Sequence, residues 1–124
     1  MGAMQRRKGA RWEREVANWF RDAGHNAQRM APMQTSVGSI EPDVMVSLKG
    51  QSPARATVRW GREENRHKLA VECKVGIRIQ WMKALKQAKE NSKNGTIPVV
   101  VAKIDRCDPV IMMTLADFNS LVRT

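Results

Sequence analysis

The sequence predicts a mixed α/β domain, a central β-sheet flanked by helices in the order α-β-(β)-β-α-β-β-α. Three observations carry that expectation. Trp12, Val16, Trp19 and Phe20 recur at the spacing of one helix face. Val44-Met45-Val46 and Leu69-Ala70-Val71 are short apolar runs of strand type. Residues 97–103 form a nearly unbroken apolar run, as expected of a strand covered on both faces of a sheet.

Taken in order, Met1-Gly2-Ala3 reads as a cloning scar ahead of a native Met4, leaving a single domain over 4–124. Arg6-Arg7-Lys8-Gly9 is a basic opening, and the first helix is expected over about 10–23, with both of its tryptophans in the core. Gly24 suits the position just past its end. Residues 31–41 read as a loop leading into a strand over 43–48. The stretch 49–68 is the least regular, with six basic residues against Glu63 and Glu64. Within it, 56–60 suits a strand, which would make the segment a hairpin or arm, and the plain alternative is a solvated loop. Its basic excess favours phosphate contact through Arg55, Arg59 and Arg62. A strand at 69–75 is followed by a helix over about 80–91 with Met82, Leu85 and Ala88 facing inward. Asn94-Gly95 is a turn, and strands at 97–103 and 109–113 flank a second turn over 105–108. Thr114 is placed to cap a last helix anchored by Phe118, Leu121 and Val122.

Composition narrows the function. A chain of 124 residues is enough for one modest core. Lys and Arg number 22 against 12 Asp and Glu, a net charge of +10. Solubility alone needs a magnitude of only about 2–8, so a polyanionic partner is expected, nucleic acid ahead of an anionic membrane surface. No apolar run approaches the ~20 residues that span a bilayer, and no secretory segment follows the start, so a cytosolic chain is expected. Cys73 and Cys107 have no zinc-like spacing and read as free thiols. His25 and His67 are isolated and read as surface or turn residues.

The chemistry concentrates in Pro42-Asp43 and Glu72-Cys73-Lys74. On a strand, Glu72 and Lys74 project from one face with Ala70, and Leu69, Val71, Cys73 and Val75 from the other. A carboxylate and an ammonium on a core-grade strand are costly to bury unless something compensates. A divalent cation shared with Asp43 would compensate, and would equip the site for phosphodiester hydrolysis. Singly, each residue has a plainer reading. Asp43 suits a turn after proline, Glu72 and Lys74 an ion pair on a half-exposed sheet, and Glu13 an exposed helix carboxylate with Glu15 as its rival.

Together, the two motif halves, set in strand patterns between helices, resemble the PD-(D/E)xK nuclease superfamily. Lys8-Gly9-Ala10-Arg11-Trp12-Glu13-Arg14-Glu15 is similar to the KGxxxERE opening of archaeal-type Holliday-junction resolvases and related phage nucleases. The resemblance runs from about residue 6 to 101 and departs from the archaeal pattern in the basic insertion at 49–68. It implies a restriction-endonuclease-like fold and Mg²⁺, for which Mn²⁺ can substitute. The implied ligands are Asp43, Glu72 and the backbone carbonyl of Cys73, with Glu13 binding the metal or its water. Lys74 would orient the attacking water and offset developing charge, with Gln87 and Ser39 as further candidates. Arg6, Arg7, Lys8, Arg11, Arg29 and Ser36 would contact DNA. The implied protein is a homodimer that resolves four-way junctions, acting on branched DNA without a membrane or a small-molecule cofactor, in a prokaryotic cytoplasm or encoded by a phage. The alternatives are another nuclease of the superfamily (restriction-like, nicking or end-processing) and a non-catalytic basic DNA-binding accessory protein.

Overall fold

The computed structural model describes residues 2–30, 41–48, 68–92 and 95–122, with side chains from residue 8 onward. The elements are α1 (Gly2–Asp22), β1 (Asn26–Arg29), β2 (Val44–Ser47), β3 (Lys68–Gly76), α2 (Trp81–Asn91), β4 (Ile97–Ile104), β5 (Val110–Met112) and α3 (Leu115–Val122). The strands form one sheet in the order β1-β2-β3-β4-β5. β1, β2 and β3 pair antiparallel in sequence, β4 runs parallel to β3, and β5 returns antiparallel along β4. The parallel pair requires a crossover, and α2 supplies it.

Each face of the sheet is covered by a helix. Trp12, Val16, Ala17 and Phe20 of α1 pack on Val44, Val46, Leu69, Val71, Val99 and Val101. On the opposite face, Ala84, Leu85 and Ala88 of α2 pack on Val100 and Ala102. Small residues on α2 let that helix lie close to the strands. Residues 97–102 are all buried, as the apolar run predicts for a sheet centre. Gly24 ends α1 in the left-handed region at φ 98°. Its N–H donates to the Arg21 carbonyl and the His25 N–H to that of Phe20, both at 2.9 Å, which satisfies two orphaned helix-end acceptors. Thr114 caps α3, its Oγ1 accepting the Asp117 N–H at 3.1 Å.

Several expectations need correction. The first helix begins at Gly2 rather than near residue 10, because nothing in the basic opening breaks it and a Cβ at Gly9 would meet open space. β1 was not expected. Its four residues, Asn-Ala-Gln-Arg, lack β-branched side chains and only Ala27 is buried, so pairing with β2 rather than intrinsic preference makes it a strand. Trp19 is 66% exposed rather than in the core. It borders a groove between α1 and the short β5, beyond which no further strand lies under the helix among the described residues. Met82 is also exposed, because the buried stripe of α2 runs through Ala84, Leu85 and Ala88, about 100° per residue around the axis from it. Phe118 and Val122 are largely exposed, and of the three expected anchors of α3 only Leu121 packs against the core. The strand expected at 56–60, most of the arm at 49–68, and Ser36 and Ser39 of the loop lie outside the described residues.

The two residues on α2 give a direct comparison. Leu85→Ala should lower the unfolding free energy by roughly 2–5 kcal/mol. Met82→Ala should change it by less than about 0.5 kcal/mol. Urea unfolding of both variants checks the assignment of the buried face.

Candidate active site

Asp43 immediately precedes β2, and its backbone is fixed from both sides. Its N–H donates to the Val71 carbonyl and its own carbonyl accepts the Met30 N–H, each at 3.0 Å. Buried Pro42 before it restricts the approaching chain. The side chain then points across to β3, where Oδ2 accepts the Cys73 N–H at 2.9 Å. Register does this work: Val44 lies opposite Val71, so the residue before β2 falls beside the residues that follow Val71.

Glu72 is the buried charged residue of the described core, 3% exposed. It leaves β3 on the α2 side, where Oε1 accepts a hydrogen bond from Asn91 Nδ2 at 3.1 Å. Lys74, two residues on and on the same face, donates from Nζ to Gln87 Oε1 at 3.0 Å. Gln87 and Asn91 are four apart on α2 and therefore lie on one helix face. That face reads the same two positions of β3 that the sequence singles out.

The carboxyl groups of Asp43 and Glu72 lie close enough to perturb each other. Burial pushes the Glu72 carboxyl up to about 7, and the Asp43 charge adds to it, against the opposing pull of Asn91 and Lys74. Burial also raises Asp43, while the Cys73 N–H and the Lys74 charge oppose the rise. Two adjacent carboxylates cannot both ionise cheaply, and the pair titrates as a unit. Glu13 lies near enough for the Asp43 charge to reinforce the burial that raises its carboxyl. The Cys73 thiol is raised by burial and then by Asp43, Glu13 and Glu72, so three acids surround this point of β3.

Glu13 is held by Arg29, whose Nη2 lies 3.1 Å from Oε1 in a half-buried ion pair. Among the described residues no group of three or more His, Cys, Asp or Glu is gathered closely enough to hold a metal ion. The compact set is therefore Asp43 with Glu72, and Glu13 stands off on Arg29. This pair still fits a hard divalent cation: carboxylate oxygen donors from half-buried Asp43 and buried Glu72 lie together, with Lys74 and Arg29 as nearby cations among the described residues. Next to the pair, Lys74, Arg78, Lys83 and Gln87 line a cleft of about 280 Å³.

The structure thus gathers Asp43, Glu72, Cys73, Lys74 and Gln87, with Glu13 and Arg29 alongside. Arg29 faces the acids rather than an open surface, with its Nε buried and unpaired. Lys8 and Arg11 lie on α1 at a different cavity. Arg6 and Arg7 belong to α1, but their side chains lie outside those described, as do Ser36, Ser39, Arg55, Arg59 and Arg62. Sequence reasoning missed Asn91, which orients Glu72, although its i+4 spacing from Gln87 was a usable signal. It also missed Arg78 at the cleft, and the Cys73 N–H as the group that aims Asp43.

The raised carboxyls have a consequence for stability. A carboxyl whose folded value lies above its ordinary 4.5 is disfavoured when ionised in the fold. Its contribution is fully present below about 4.5 and is lost as pH rises through about 7. Metal-free protein should therefore melt at a lower temperature at pH 8 than at pH 5.5, and Glu72→Gln should reduce that difference. Thermal melts in EDTA across this range measure both.

Residues 4–113 match the family model for the archaeal Holliday junction resolvase, Hjc. Among solved structures, the fold is similar to that of Hjc, a Holliday junction resolvase from the archaeal hyperthermophile Archaeoglobus fulgidus. The TM-score is 0.56 at 20% identity, with 86% of this chain and 72% of that chain covered. No curated protein matches the sequence.

Proposed function

Because this chain belongs to the archaeal Holliday junction resolvase family, we propose that it resolves four-way DNA junctions by Mg²⁺-dependent hydrolysis of phosphodiester bonds. The observation that carries this reading is the carboxyl pair of half-buried Asp43, just before β2, and buried Glu72 on β3, beside Lys74. Asp43 and Glu72 would hold the ion, with the Cys73 carbonyl and Glu13 completing the set by resemblance. When bound, the ion supplies Lewis-acid polarisation of the phosphate and a more acidic water.

The remaining contributions come from the chain. The Cys73 N–H fixes the Asp43 carboxylate, and Asn91 fixes that of Glu72, so neither must reorganise when phosphate arrives. Lys74 places a positive charge next to the pair, and Gln87 steadies it through the hydrogen bond to Nζ. In that position the ammonium orients the attacking water and offsets charge that builds on the phosphoryl oxygens. Arg29 pairs with Glu13 at 3.1 Å and offsets its charge. Arg78 and Lys83 at the cleft supply phosphate contacts that position DNA without reading its sequence.

Two symmetric cuts across a four-way junction call for two sites at fixed separation, which a two-fold homodimer supplies. Exposed Trp19, Val110 and Ile111 border one apolar groove, and residues 107–122 contain no Lys or Arg in a chain of charge +10. Such a face can meet its own copy without like-charge repulsion. Sedimentation should give twice the chain mass, and Ile111→Lys should return it to one. The proposed setting is the cytoplasm, with branched DNA as substrate.

The test is cleavage of a labelled four-way junction against a matched linear duplex, with Mg²⁺ and with EDTA. Selective, EDTA-sensitive cutting of the junction is the expected result. Asp43→Asn and Glu72→Gln should each abolish cleavage while junction binding survives. Lys74→Ala should be inactive yet still bind Mg²⁺ by calorimetry, and loss of metal binding there would make Lys74 a structural residue instead.

A further inference from the structure

Among the described residues, a concentration of positive charge lies on the other side of the sheet from the Lys74 cleft. Lys8 and Arg11 of α1, Lys103 at the end of β4 and Arg106 in the turn after it line a single cavity of about 400 Å³. Four cations from three parts of the chain are brought together by folding, against two carboxylates, Glu15 and Asp105. Glu15 reaches Arg11 at only 3.7 Å in an exposed pair, which offsets little of that charge.

Two of the cations are placed by the fold. Lys103 Nζ sits 5.7 Å over the Trp12 ring, a distance at which the ring face attracts it. That ring is itself anchored, its Nε1 donating to the Val101 carbonyl at 3.3 Å. Arg106 is the non-glycine residue at positive φ, 65°, among the described residues. Its turn is closed by the Cys107 N–H on the Ile104 carbonyl at 2.9 Å and the Asp105 N–H on that of Gly76 at 3.1 Å. The turn backbone that presents Arg106 at the cavity rim is thus fixed in a conformation that favours glycine.

The cavity and the catalytic cleft lie on either side of the same strand end. Val75 lines both, and Gly76, opposite Ile104, lies two residues past Lys74. Two residues of extended strand cover about 7 Å, so the cavity lies near Lys74 along the strand, across the sheet from it. We propose that this cavity is a second phosphate subsite, with Lys103 and Arg106 as its cations. It would seat DNA backbone flanking the scissile phosphate. The location next to the scissile phosphate rests on the nuclease reading above.

The test uses the full chain and four-way junctions carrying a single neutral methylphosphonate, moved one position at a time along the cleaved strand. Binding is measured in EDTA as a function of salt. For the wild type, a methylphosphonate at one position flanking the cut should weaken binding and make the log–log salt slope shallower by about 0.9. Lys103→Gln with Arg106→Gln should lose the same amount on unmodified DNA and become indifferent to that methylphosphonate. Lys103→Arg with Arg106→Lys should restore both responses, which separates charge from a folding defect. A Gln double variant that keeps the wild-type slope, or stays sensitive to the neutral position, would overturn the subsite. If the wild type cuts junctions while the slope is unchanged, the subsite falls and the nuclease reading stands. If the wild type cuts no DNA yet the Gln double variant still loses about 0.9 of slope, the nuclease reading falls and the phosphate subsite stands.

Discussion

The pairing of β2 with β3 is the constraint on which the site depends. It sets Val44 opposite Val71, and from that register Asp43 reaches the Cys73 N–H at 2.9 Å. A one-residue slip would turn every side chain of β2 to the opposite face, removing Val44 and Val46 from the core and Asp43 from Glu72. Two fully buried valines therefore fix the position of a polar residue that the core would otherwise exclude. Burial of apolar groups, which has no directional preference, is converted by the sheet into the placement of a single carboxylate.

The two sides of the sheet contribute differently. On the α1 side the interior is apolar and large, built on Trp12, Val16, Phe20 and the valines of β2, β3 and β4. The acid–arginine pair of Glu13 and Arg29 is half-buried beside it. On the α2 side the contact is made by two alanines and a leucine. Because those side chains are short, α2 lies near enough for Gln87 and Asn91 to reach β3. Larger residues at Ala84 or Ala88 would push the helix out and unpair Lys74 and Glu72 from their partners.

Electrostatics explains why a strongly basic chain keeps acids at its centre. A net charge of +10 draws a polyanion toward the surface over the range of the Debye length. At short range, the carboxyl pair repels phosphate unless a cation lies between them. The burial that raises Glu72 to about 7 thus reflects an unmet demand for positive charge at the pair. In the proposed reaction a divalent ion meets that demand, with Lys74 alongside. Affinity for DNA and chemistry on it are in this way carried by different residues.

The sequence alone determined the identities at the site and most of the elements around it. Period-two alternation places Glu72 and Lys74 on one face of β3 and Cys73 on the other, because strand geometry is local. The apolar run at 97–102 marks the sheet centre for the same reason, and Thr114 its helix start. What local pattern does not contain was decided by tertiary structure. β1 exists because β2 offers it a partner. Trp19 has the right helical phase for the core, yet it stands in solvent where the sheet ends at β5. Asn91 looks like a surface residue of α2 until packing sets it, with Gln87, over β3. Arg29, read from the sequence as a DNA contact, is brought by the fold into an ion pair with Glu13. The convergence of Lys8, Arg11, Lys103 and Arg106 is likewise invisible in the chain, since residues far apart in sequence meet only when α1 packs across β4.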